Sequence, residues 1–240
     1  MGATGNAPRA HGILGTSRPC PREGMPLSPP RRYLTIASPA SAEIEVKRSR
    51  FVCDVSPASS EEEARAFVEQ VRAGSRDARH HCTAFVLGVD GATRRSNDDG
   101  EPSGTAGAPM LEVLAGHGLT EVVAVVTRWF GGTLLGTGGL IRAYGDAVSQ
   151  AIDAATLLTC ELRQGLVVTV GSADAPRVEN ALRAHRGCTV TSAAWSAAGI
   201  VLELAVEPDE DEPVRGLVAS LTSGAGSVAL GAPTWVQRTG

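Results

Sequence analysis

The order of hydrophobic periods after Glu161 constrains this chain most. Apolar residues alternate over 162–170, step helically over 174–186, alternate over 188–195 and 200–206, step helically over 210–222, and alternate again over 227–236. Asp174-Ala175-Pro176 offers a cap and an early proline to the first helix. Asp209, Glu210, Asp211, Glu212 and Pro213 crowd the start of the second. A βαββαβ order is ferredoxin-like, so residues 160–238 are expected to form a domain that separates from its predecessor near Thr159–Glu161.

The preceding stretch, 34–158, has a different rhythm. Strands are expected at Glu43–Val46 and Phe51–Val55, where order should begin, followed by a helix capped by Ser59 or Ser60. Glu61, Glu62 and Glu63 suit its first turn, and Ala64, Phe67, Val68 and Val71 form its apolar stripe. Thr83–Leu87 reads as a buried strand with a turn at Asp90-Gly91. A polar, glycine-rich loop over 96–111 leads to a helix whose first turn takes Pro109 and which stops near Gly116–Gly118. Glu121–Thr127, dominated by valines, reads as a central strand. A second glycine-rich loop, 131–139, then runs into a long helix ending near Ala155, with Leu140, Tyr144, Val148 and Ile152 on its buried face. Residues 1–30, rich in Pro, Gly and Arg and without a period, are expected to be disordered.

Composition narrows the function classes. The chain has 240 residues, 42% of them hydrophobic, enough for two packed cores. No apolar run approaches the roughly 18 residues of a membrane span, and no leader pattern is present, so a cytoplasmic protein without membrane partners is expected. Five scattered cysteines form no metal-ligand spacing, and no metal or other cofactor is expected. The net charge is −4, but residues 1–33 carry a local +4, leaving −8 for the rest. An acidic body does not coat nucleic acid indiscriminately, because that binding rests on neutralising phosphates. A local basic patch can still bind.

Several residues carry candidate chemistry. Ser103, Gly104 and Thr105 in the first glycine loop, and Gly131, Gly132, Gly136, Thr137, Gly138 and Gly139 in the second, each precede a predicted helix. Helix N-termini present unpaired amides with partial positive charge, so two converging loops would cradle an anion. Equally, the glycines would permit close packing and positive φ. Neither loop matches a Walker or dinucleotide fingerprint. Arg128, at the carboxyl end of the valine strand, and Arg142, flanked on its helix face by Gly138 and Gly145, suit a phosphate or carboxylate. The alternative pairs them with Asp98, Asp99 or Glu101. His80, His81 and Cys82 suggest a Cys/His nucleophile, but neighbours on an extended segment face opposite ways and no third orienting group is evident. A buried Cys82 beside a hydrogen-bonded His80 fits better. His80, Asp98, Asp99 and Glu101 are thus acid/base or ion-pair candidates, and no residue is assigned as catalytic.

Four segments together resemble the Impact/YigZ family. They are Lys47-Arg48-Ser49-Arg50-Phe51, Ala78–Ala84, the Asp98-Asp99-Gly100-Glu101-Pro102-Ser103-Gly104-Thr105-Ala106-Gly107 run, and Thr127-Arg128-Trp129-Phe130-Gly131-Gly132 continuing through 135–144. Trp129 replaces the family's usual Tyr, Asn97 its usual Ser, and Thr133-Leu134 its common Ile-Lys. The resemblance implies an α+β protein of two domains. The first is a β/α domain like those of certain ribosomal proteins and translation factors, and the second is a ferredoxin-like βαββαβ domain. Eukaryotic members add an RWD domain and restrain an initiation-factor kinase, and this chain has no room for that domain. The expected function is noncatalytic binding linked to translation or its regulation, through RNA or a ribosome-associated protein, with Lys47, Arg48, Arg50, Arg128 and Arg142 at the contact. The alternatives are an enzyme or sensor for a small phosphorylated or carboxylate ligand held between the glycine loops, and a protein-interaction module. Oligomeric state is left open.

Overall fold

The computed structural model describes Met1 and residues 31–239; apart from Met1, the expectation for residues 1–30 falls outside them. In chain order the elements are β1 (Arg32–Ile36), β2 (Ala40–Val46), β3 (Ser49–Pro57), α1 (Glu61–Gly74), β4 (His80–Leu87), β5 (Thr93–Asn97), α2 (Gly107–Gly116), β6 (Val122–Trp129), α3 (Thr137–Ala154), β7 (Leu157–Gly171), α4 (Ala175–Ala184), β8 (Cys188–Ser196), β9 (Gly199–Val206), α5 (Asp211–Thr222) and β10 (Ser227–Thr239).

The first sheet has the antiparallel order β2-β3-β6-β4-β5. Its central strand β6 is apolar from Val122 to Val126, with helices covering both faces. Val122, Ala124 and Val126 pack with Leu140, Tyr144 and Val148 of α3 and with Met110 and Leu114 of α2. Val123 and Val125 pack with Phe85 and with Ala64 and Phe67 of α1. Ser60 caps α1 through Glu63 N at 3.2 Å, while Glu63 accepts from Ser59 N at 2.7 Å, a reciprocal arrangement that satisfies otherwise orphaned amides.

The second sheet places β7 beside β1, β9 and β10, with β8 outermost next to β9. Helices α4 and α5 cover one face through Val178, Leu182, Val214 and Val218, which meet Leu166, Val168, Ile200, Leu202 and Leu204.

Several boundaries differ from the sequence reading. A strand, β1, already stands ahead of Glu43, and residues 34–36, grouped above with the first domain, pair with Leu157–Thr159 of β7 in the second sheet. Thr120 N donates to Leu34 O at 2.9 Å and Thr35 Oγ1 to Glu121 O at 3.1 Å, so this five-residue segment touches both sheets. Strand β5, Thr-Arg-Arg-Ser-Asn, holds no apolar residue and owes its form to pairing with β4. Helix α2 starts at Gly107, two residues before Pro109.

Candidate functional site

Antiparallel order brings the start of β3, the start of β4 and the end of β6 to one end of the first sheet, where Phe51 and His80 flank Arg128 in register. The loops entering α2 and α3 leave from the same end. Arg128 is 6% exposed and Glu101 9%, and their Nη1 and Oε1 atoms stand 2.5 Å apart. Tyr144 Oη donates to the same oxygen at 2.8 Å. Cys82 Sγ lies 3.3 Å from Tyr144 Oη and 3.0 Å from Asp98 O. Burial pushes the Cys82 thiol up to about 12; the Tyr144 hydroxyl pulls the other way, and the carboxylates of Glu101, Asp99 and Asp98 add to the rise. Such a thiol is not a nucleophile at neutral pH. Burial also raises Tyr144 far above the ordinary phenol range, keeping its proton in place to donate.

The remaining carboxylates are engaged too. Asp98 accepts from Gly104 N and Gly107 N at 2.8 Å and from Ala106 N at 3.1 Å. Burial pushes its carboxyl up, but the three amides outweigh this and hold it below the usual carboxylate range. The anion in the first glycine loop is therefore the chain's own Asp98. Asp99, in the left-handed region at φ 44°, accepts from His81 N at 2.7 Å and Arg72 Nη2 at 3.1 Å, while its carbonyl accepts from His80 Nδ1 at 2.9 Å.

The second glycine loop behaves differently. Helix α3 has no side-chain cap at Gly136 and no acidic residue in its first turn. A Cβ on Gly131 would stand 2.0 Å from the Arg48 carbonyl carbon, so only glycine lets the loop rest on the β2–β3 turn. Gly131 N donates to Ser49 Oγ at 3.2 Å, and Arg48 Nη2 reaches Thr133 Oγ1 at 3.4 Å. The turn itself holds Lys47 at φ 48° and Arg48 at φ 66°, a two-residue hairpin geometry that normally calls for Asn-Gly. Both side chains are exposed.

The site candidates thus separate into three groups. Arg128, Glu101, Asp98, Asp99 and His80 form one internally bonded cluster, in which Gly104 donates to Asp98, while the buried Thr105 bonds to Pro102 O and Ser103 is exposed. Arg50 stacks on Trp129 at 3.8 Å and lies 3.7 Å from Glu43. Lys47, Arg48 and Arg142 face solvent, as do Gly132, Gly136, Thr137 and Gly138, while Gly139 is half-buried. Arg142 forms no ion pair among the described residues; of the two arginines weighed against the acidic run, Arg128 is the paired one. Sequence reasoning misses Tyr144 as a member of this network, because it places that residue only on an apolar stripe. A tyrosine on a buried face needs a partner for its hydroxyl, and that is the available signal.

The Impact N-terminal domain model matches residues 47–152. The IMPACT family member YvyE of Bacillus subtilis is 35% identical over 206 residues, covering 86% of this chain and 94% of the relative. The chain belongs to the IMPACT family. Another IMPACT family member, YigZ of Escherichia coli, is 45% identical over 156 residues, covering 59% of this chain and 76% of the relative. A crystal structure of a hypothetical protein superposes with a TM-score of 0.58 at 34% identity, covering 84% of this chain and 98% of the other. The matched residues 47–152 include both the Asp98–Gly107 run and the Arg128–Tyr144 segment, which meet at Glu101.

Proposed function

We propose that this IMPACT family chain is a noncatalytic, cytoplasmic binding protein linked to translation or its regulation, which engages RNA or a ribosome-associated partner through the β2–β3 hairpin tip. The observation that carries this reading is the Lys47-Arg48 turn. Two non-glycine residues occupy the left-handed region there, at a cost of order 1–3 kcal/mol each. What the turn presents is two solvent-facing cations held against the second glycine loop. The translation link rests on the family, whose eukaryotic members the resemblance above connects with an initiation-factor kinase. The small-anion reading has less support, because Asp98 already occupies the amides of the first loop. An enzyme would need a free acid, base or nucleophile, whereas Glu101, Asp98, Asp99 and Cys82 are committed to internal contacts.

Binding of structured RNA across a salt series tests the proposal. Replacing Lys47 and Arg48 together by Ser should weaken binding and flatten the logarithmic salt slope by about 0.9 for each phosphate that the variant no longer neutralises. Absence of RNA binding at low salt, together with ribosomal fractions that ignore the substitution, would overturn it.

A further inference from the structure

The free strand edges of this molecule are not protected alike. In the first sheet, edge strand β2 carries Glu43 and Glu45, and the opposite edge β5 is five residues long with Arg94 and Arg95. In the second sheet, β1 is five residues long and opens on Arg32. β10 contains Pro233, shifts register between Gly231 and Thr234, and ends beside Arg238. Short length, charge, proline and bulges are the usual devices that stop an edge from recruiting another strand.

Strand β8 lacks most of them. It runs nine residues, Cys-Thr-Val-Thr-Ser-Ala-Ala-Trp-Ser, with no charge and no proline. Its one register shift lies between Val190 and Ser192, leaving Ser192–Ser196 regular. Residues 191–196 are all exposed, Trp195 at 53%, so none of the described residues covers this edge. Each side of the edge carries an apolar residue. Ala193 and Trp195 pair with the buried Leu202 and Ile200, placing them on the helix-covered side, while Ala194 pairs with Val201, 40% exposed on the open side.

We infer that the occupant of this edge is a second copy of the chain, whose β8 pairs antiparallel across a twofold axis and joins the two sheets into one. A foreign strand would be selected by charges along the edge, and β8 offers none. Self-pairing demands only that the strand tolerate itself, since like charges directly opposite one another destabilise a ladder. An uncharged strand meets that condition in any antiparallel register. Pairing centred on Ala194, within the regular stretch, sets Ala193 opposite Trp195 and Ser192 opposite Ser196, so each Trp195 is covered by the other chain. Glu203, opposite Ser192 on β9, stays one strand away from the seam. Closed twofold pairing also removes the edge, which an open series of strands would not. This surface belongs to the second sheet and leaves the Lys47-Arg48 hairpin free.

Sedimentation of the full chain across a dilution series tests the inference. The expected result is a species of twice 24.7 kDa that gives way to the single mass on dilution. In the Ser192→Glu/Ala194→Glu double variant, both exposed positions bring like charges across the seam, and the dimer should vanish throughout the series while a cooperative melting transition persists. If that variant does not fold, hydrogen exchange of the unaltered chain decides: amides within 191–196 should exchange more slowly at high concentration than at low. A single 24.7 kDa species at every concentration overturns the inference. So does a dimer that survives in the folded double variant, or concentration-dependent protection confined to another edge such as β10.

Discussion

The two glycine-rich loops share a composition and a position before a helix, yet they end in opposite electrostatic states. Ahead of α2, the amides of Gly104, Ala106 and Gly107 converge on Asp98. Ahead of α3, no side chain among the described residues caps the helix, and the loop instead rests on the hairpin that presents Lys47 and Arg48. Glycines and a helix N-terminus therefore create an opportunity for an anion without saying whether the chain fills it. A carboxylate several residues upstream decides that, and it makes one loop part of the core and the other part of the surface.

Substitutions in and beneath the two loops test this contrast. The largest effect is expected at the pair beneath the first loop. Arg128→Met leaves Glu101 buried without its cation and should cost about 3–5 kcal/mol in urea unfolding; a companion Glu101→Gln should recover much of that loss. If the single variant proves as stable as the parent, the pair is not what anchors the loop.

Gly131→Ala places a methyl group against the Arg48 backbone and must displace the second loop or the hairpin, at a cost of about 1–3 kcal/mol as for other overpacked sites. Asp98→Ala removes the acceptor of three amides, with a loss of about 1–3 kcal/mol. That contribution depends on pH. Because the folded carboxyl is held below its ordinary value, the stabilisation is fully present above about pH 4, the unfolded pKa, and is lost as pH falls through the lowered folded value. The stability gap between the parent and Asp98→Asn should stay constant above that window and close only below its upper edge; a gap that changes near neutrality would assign the effect to another group.

The smallest effects belong to the exposed side of the second loop. A Cβ on Gly138 would meet no atom within 4 Å, and the residue lies inside the first turn of α3, so Gly138→Ala should stabilise by about 0.5–1 kcal/mol. Arg142→Met should change stability by less than about 0.5 kcal/mol, as at other exposed positions, while weakening partner binding. A loss of several degrees in melting temperature for Arg142→Met would place that arginine among the structural residues beside Arg128.

Periodicity makes most elements readable. Glu121–Thr127 needs no context to be a central strand, and the alternation after Glu161 leads to all six elements of the second unit, with shifted ends. What is unreadable depends on partners distant in sequence. β1 is a strand because β7 lies beside it, and β5 has no apolar residue with which to announce itself. Asp98 sits nine residues before Gly107, outside any local capping pattern.

Period, helix-start chemistry and motif spacing are local properties of the chain, so the α+β class, the family and the short menu of charged residues from which any site must be drawn are all written in the order of residues. How that menu is used depends on the packed fold. It set Glu101 between Arg128 and Tyr144, turned Asp98 inward onto three amides, and left Lys47, Arg48 and Arg142 facing solvent. The physical reason is that pairing depends on which charges share a low-dielectric interior, and burial follows from the packing of whole sheets and helices.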